Sequence, residues 1–251
     1  MDNNKEIILG LDVSTTTIGC CIFLNDESEY GKIIKLTHVV PKVSNKIKGI
    51  ESLFLKKQIF NDEFLINWKD FGITRVIIEE PLLSSNNINT VATLLRFNGM
   101  ISDCVYHTLG IVPEYISSYD ARKFSFPELM AVRKFNKKGE MYDEKKITKA
   151  IKNSELVLFG DYPWDIDKKL VMWNKVSEIF KDIEWIYDKK GELKKENFDA
   201  NDALITCLAV RNKELYEGNE PSITKWEKKE DVIHYTIETT QKNINKQISF
   251  K

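Results

Sequence analysis

The chain has 251 residues, 42% hydrophobic and 30% charged, with a formal net charge of -1. That length and composition allow one sizeable core in an ordinary globular protein. No apolar run approaches the roughly 18 residues of a spanning helix, and "MDNNKEIILG" lacks the basic and long apolar regions of a secretion signal. A cytoplasmic protein with no membrane partner is therefore expected.

In chain order, residues 6–13, 17–24 ("TIGCCIFL") and 31–40 ("GKIIKLTHVV") are apolar runs bounded by polar residues or glycine, the pattern of a three-stranded meander. From Asn45 to Asp70 the residues Ile47, Ile50, Phe54, Phe60, Phe64 and Trp68 recur at helical spacing, which predicts a long amphipathic helix. "TRVIIEEP" reads as a buried strand stopped by Pro81, followed by the polar loop "SSNNIN", a helix over 89–109 and a strand at "IVPEYIS". Three antiparallel strands followed by parallel crossovers give an α/β fold: a mixed five-stranded sheet with helices on both faces. Beyond Arg122 the pattern loosens, with helices near 142–153 and 166–181 and a hairpin turning at "DKKG". A last helix starts at Asp199, and a polar tail from 218 carries one alternating patch, "VIHYTIE".

The four cysteines (Cys20, Cys21, Cys104, Cys207) show no CxxC spacing and lie in apolar runs, as reduced, buried thiols do. Charge is uneven. From Ala121 to Ser154 there are ten Lys/Arg against four Asp/Glu. Such a segment is either a solvated helical face or a surface for a polyanion.

Four acids occupy costly positions: Asp12 ends the first strand, Glu79 the fourth with Glu80 beside it, and Asp199 and Asp202 open the last helix. A carboxylate at the end of an apolar strand loses hydration and needs a partner. A divalent cation meets that need, because Mg²⁺ and Mn²⁺ take carboxylate oxygens and phosphate chemistry uses several such groups converging. Asp12 and the helix pair also have plainer roles, which Glu79 beside Glu80 lacks. Asp12 suits a turn, with Thr15 to Thr17 as strand formers, and Asp199 followed three residues later by Asp202 suits a helix cap.

In order along the chain, "ILGLDVSTTTIG", "VIIEEP" and "DANDAL" resemble the RuvC-type Holliday-junction resolvases of the ribonuclease H-like superfamily. The resemblance covers about residues 6–124 and 198–212 and extends to "TLLRFNGMI" and "PEYISSYDARK". It implies a ribonuclease H-like nuclease domain over 1–217, with an insertion at 125–197 of the kind seen in enlarged phage and poxvirus relatives. By position it makes Asp12, Glu79, Asp199 and Asp202 the catalytic, metal-holding acids, with Glu80 as a possible additional acid standing where the family has glutamine. It implies two Mg²⁺ ions (Mn²⁺ substituting), hydrolysis to 5′-phosphate and 3′-hydroxyl ends, branched DNA as partner, a homodimer and no nucleotide cofactor. Location would be the host cytoplasm if the source is viral. Thr15, Thr16, Arg96, Arg122 and Lys123 become DNA-binding candidates, and so do Lys137, Lys138, Lys145 and Lys146 of the insertion. Leu82 stands where the family has a stacking phenylalanine; leucine can wedge between bases but stacks less well.

Three other readings remain open at this point. The metal site reads phosphate and not branching, so flaps, forks or RNA-DNA hybrids are alternative substrates. A non-cleaving branched-DNA-binding protein is a second. A third is the actin and sugar-kinase ATPase group, whose first motif is similar but which needs a second glycine-rich phosphate loop that this chain lacks.

Overall fold

The structure is a computed structural model that describes residues 6–81, 87–215, 221–229, 232–240 and 245–250. It divides into two compact units, residues 1–118 with 173–208 and residues 119–172 with 209–251. Among the described residues no helix is long and apolar enough to cross a membrane.

In the first unit, β1 (Glu6–Val13), β2 (Ile18–Asn25) and β3 (Lys32–Val39) form the expected antiparallel meander. α1 (Gly49–Phe60) continues through a π-type turn (Asn61–Leu65) and a 3-10 turn (Ile66–Phe71), so the predicted long helix is present with changing pitch, but its buried side is made by Leu53, Phe60, Leu65 and Trp68 while Ile50 and Phe54, expected there, are exposed. Its end is set by Gly72, which takes φ 69° and donates its N–H to the Lys69 carbonyl. β4 (Arg75–Glu79) and α2 (Ile88–Leu109) follow. Asn87 caps α2 by accepting from the N–H groups of Asn89 and Thr90, and Gly110 at φ 73° closes it. β5 (Glu114–Ile116) completes a sheet of order β3-β2-β1-β4-β5. β1 pairs antiparallel with β2 and parallel with β4, and β4 pairs parallel with β5. This is the mixed five-stranded sheet expected from the sequence.

One face of the sheet carries Leu9, Leu11, Val13, Ile18, Cys20, Ile22, Val76 and Ile78, packed with Leu53, Phe60, Trp68, Phe97 and Ile101 of the α1 and α2 layer. At the sheet's far end Arg75 binds Glu114 with two N–H groups at 2.7 and 2.8 Å. Those hydrogen bonds hold the Glu114 carboxyl below the usual carboxylate range. Their stabilisation is therefore complete above that range and lost as pH falls through the lowered value.

The chain then runs through α3 (Ser118–Ser125), β6 (Met130–Val132), α4 (Glu144–Lys152), β7 (Leu156–Leu158), α5 (Lys168–Ile179) and α6 (Glu196–Leu215). The "DKKG" hairpin is present as a Tyr187–Leu193 bridge. α6 begins at Glu196, so Asp199 lies inside its first turn and does not act as the N-cap.

In the second unit, β6 and β7 pair antiparallel, and the segment expected to be a polar tail forms β8 (Ser222–Lys229), β9 (Val232–Thr240) and β10 (Asn245–Phe250). Met130 and Ala131 pack with Tyr235 and Ile237. Val132, Ile147 and Ile151 pack with Ile223 and Ile233. The insertion thus shares its core with the last strands, and Asp161 joins them by accepting from the Tyr235 hydroxyl and pairing with Lys134 at 2.8 Å.

Candidate active site

Side chains alternate across a strand, so one residue of known direction sets the rest. Gly10 of β1 supplies that reference. A β-carbon on it would lie 2.2 Å from the Ala203 carbonyl oxygen and 2.6 Å from Cys207 Sγ, so Gly10 faces α6. Asp12, two residues on, shares that face, while Leu9, Leu11 and Val13 point to the α1 and α2 layer. On β4, Ile77 is level with Gly10 and Ile78 with Leu11, which puts Glu79 beside Asp12 on the same face. The two acids therefore stand at the carboxyl ends of adjacent parallel strands. Both are half-buried, whereas Glu80 is exposed on the far side of the pleat.

The first turn of α6 reaches the same face through a second glycine. Gly19 of β2 pairs with Asp12. A β-carbon there would sit 1.9 Å from the Asp199 carbonyl oxygen, so the first turn of α6 rests directly on the backbone opposite Asp12. Asp199 is half-buried, and Asp202, one turn further, is 3% exposed. Two strand-interior glycines thus bring backbone onto backbone where any side chain would hold the helix away. Glycine inside a strand was the available sequence signal for this, and the opening motif contains both.

The link after Asp12 is a sealed turn. Ser14 donates its N–H (3.0 Å) and its hydroxyl (2.8 Å) to the Thr17 carbonyl, and Ser14 Oγ accepts from the Thr17 N–H at 3.0 Å. Lys56 Nζ of α1 donates to the Thr15 carbonyl at 2.7 Å. From α2, Asn98 Nδ2 donates to the carbonyls of Val13 (3.3 Å) and Leu94 (3.1 Å). Lys56 and Asn98 brace the strand end that carries Asp12, and no local motif announced either one. Asn98 is 2% exposed. Asn98→Ala is expected to lower stability by about 1–3 kcal/mol, the cost of a buried carbonyl losing its donor, as a shift of the urea midpoint with unchanged slope.

Burial first, and the Asp12 charge second, push the Cys20 thiol well up. All four cysteines are free and buried, as the sequence suggested. Among the described residues, no group of three or more His, Cys, Asp and Glu side chains is arranged to hold a metal ion. The donor chemistry still suits a hard cation. The acids offer only oxygen, Asp12 and Glu79 share one sheet face, and Mg²⁺ needs one or two carboxylates, with water and substrate phosphate completing its shell, not an all-protein cage.

The expected DNA-binding residues are dispersed. Thr15 is half-buried and Thr16 exposed in the sealed turn, and Arg96 is exposed on α2. Leu82 lies outside the described residues. In the second unit Arg122 is half-buried, but Lys123 is 4% exposed, paired with Asp120 at 3.4 Å and 4.5 Å from the Phe124 ring centre, so its charge is spent inside its own unit. Lys137, Lys138, Lys145 and Lys146 are all exposed.

No protein-family model and no curated protein matches the chain. Among solved structures it is similar to Thermus thermophilus RuvC, with a TM-score of 0.46 and 14% identity over 82% of this chain and 95% of that one. It is similar to T. thermophilus RuvC in complex with a Holliday junction substrate, with a TM-score of 0.48 and 11% identity over 82% and 95% of the two chains. For the yeast mitochondrial Holliday junction resolvase Ydc2 the TM-score is 0.39 and the identity 13%, over 83% and 81%.

Proposed function

We propose that the chain is a metal-dependent endonuclease that resolves branched DNA, most specifically four-way junctions, by paired symmetric nicks. The observation that carries this reading is the placement of Asp12 and Glu79 on one face at adjacent strand ends, with the first turn of α6 seated against Gly19 opposite Asp12. Asp12, Glu79, Asp199 and Asp202 would hold two Mg²⁺ ions. When bound, the metal supplies Lewis acidity and a more acidic water. The protein's own part is to fix those carboxylates on a rigid sheet and helix, and to keep the Ser14–Thr17 turn still beside them. Lys56 holds that turn, and its Thr15 and Thr16 hydroxyls are donors for phosphate oxygens. In the reaction a water oxygen bonds to phosphorus as the bond to the 3′ oxygen breaks. The strand ends then carry 5′-phosphate and 3′-hydroxyl. Two symmetric cuts require two sites related by a two-fold axis, hence a homodimer.

The test compares four-way junctions, flaps, forks, RNA-DNA hybrids and plain duplex in one Mg²⁺-dependent cleavage assay. Paired nicks at symmetric positions of the junction are expected. Equal cutting of every substrate, or no cutting of any, would overturn the assignment. A monomer at working concentration that cuts flaps or forks best would favour those substrates.

A further inference from the structure

The acids of the first unit leave the strongly basic stretch of the second without a use. From Arg133 to Lys152 there are eight Lys/Arg against three Asp/Glu. In α4, Ile147 and Ile151 are 2% and 3% exposed and pack with Val132, Ile223 and Ile233, which turns the opposite side of the helix outward. That side carries Lys145, Lys149 and Lys152, which line a shallow groove with Asp143, Glu144, Thr148 and Asn153. At 1.5 Å per residue the three lysines rise by about 6 and about 4.5 Å along a single stripe. The neighbouring acids are already engaged: Asp143 caps the helix by accepting from the Lys146 N–H at 2.8 Å, and Glu144 pairs with Lys228 at 3.2 Å. Among the described residues none of the three lysines has an ion-pair partner.

The chain enters α4 through a hairpin, bridged at Phe135 and Met141 and turning at Gly139 with φ 79°, whose tip exposes Lys137 and Lys138. Beside it stands Trp164, 39% exposed. The Arg133 guanidinium donates to the carbonyls of Leu158 (3.3 Å) and Phe159 (3.5 Å) and lies 4.9 Å from the Trp164 ring centre. Lys137 Nζ is 5.8 Å from the same centre. An indole held under a backbone-anchored guanidinium, partly open to solvent and with the Lys137 ammonium also over its ring, is a stacking platform for a base.

We propose that the second unit is a single-strand grip: the Lys145, Lys149 and Lys152 stripe tracks the phosphates of a nucleic-acid strand while an unpaired base stacks on Trp164. The stripe alone would serve any polyanion. The indole makes the difference, because bases within a duplex expose no face to it. The proposal rests on the nuclease reading in one respect, since it names what would hold the unpaired nucleotides of a branched substrate.

The experiment uses the full chain in metal-free buffer, where nothing is cut, with a labelled oligothymidylate and a blunt duplex read by fluorescence anisotropy over a salt series. Trp164→Ala is expected to weaken oligothymidylate binding roughly tenfold and to leave duplex binding unchanged, with Trp164→Phe restoring most of the loss. The combined Lys145→Gln, Lys149→Gln and Lys152→Gln variant is expected to flatten the salt slope for the single strand by about 2. Three results would overturn the proposal: no oligothymidylate binding by the parent, an equal effect of Trp164→Ala on both DNAs, or an unchanged slope. Junction cleavage by the parent in Mg²⁺ is scored separately. Binding as described without cleavage sinks the nuclease reading alone, and cleavage with binding unaltered in the variants sinks this one alone.

Discussion

Asp12→Asn is expected to abolish Mg²⁺-dependent junction cleavage, by roughly 10³-fold or more, while junction binding in metal-free buffer stays within a few-fold of the parent. The amide keeps the shape of the carboxylate but removes the charge, and the neighbours on the same face along β1 and across to β2, Gly10 and Gly19, carry no side chain to replace it. Glu79→Gln should behave alike, being level with it on β4. Glu80→Gln, exposed on the other side of the pleat, should cut like the parent. Single-turnover rates with saturating enzyme separate chemistry from binding. Full activity in both Asp12→Asn and Glu79→Gln would remove the acids from the site.

Gly19→Ala carries the largest expected effect on the fold. The new methyl group would fall 1.9 Å from the Asp199 carbonyl oxygen and 2.3 Å from its carbon, both backbone atoms of a helix that cannot turn aside as a side chain would. α6 must lift from the sheet, at a cost of about 3 kcal/mol or more. The loss should appear as a lower urea midpoint and as reduced cleavage under conditions where the variant remains folded, because Asp199 and Asp202 move with the helix. Gly72→Ala is the useful contrast. A β-carbon there meets nothing within 4 Å, so only the strain of φ 69° remains and cleavage should be unchanged. Equal stability of Gly19→Ala and the parent would show that α6 does not press on β2 in solution.

The sheet was legible in the sequence because its strands are short apolar runs bounded by polar residues or glycine, and a two-residue period tolerates little else. The observed β1, β2 and β4 fall within a residue or two of the runs that predict them. The positions of Asp12 and Glu79 near strand ends were legible for the same reason. Where α6 starts was not: Glu196 opens the helix three residues before Asp199, and "DANDAL" looks enough like a cap to hide it. β6 and β7, three residues each, are too short to show a period. In β8, the run "SITKWEKK" looks polar because seven of its eight residues are exposed or nearly so, with Ile223 alone turned toward the core cluster. Lys56 and Asn98 lay hidden for a further reason. Each acts across a long sequence separation on a main-chain carbonyl, and a carbonyl leaves no trace in a sequence.

The shared core of the second unit also fixes an order of events during synthesis. Met130, Ala131, Val132, Ile147 and Ile151 emerge from the ribosome about ninety residues before Ile223, Ile233, Tyr235 and Ile237, the residues that cover them. For that interval the basic hairpin and α4 have an uncovered apolar side, so the unit is completed after translation has passed through all four candidate acids. A nascent chain arrested before residue 221 would carry all four acids and no finished grip, a state open to detection by limited proteolysis of stalled chains.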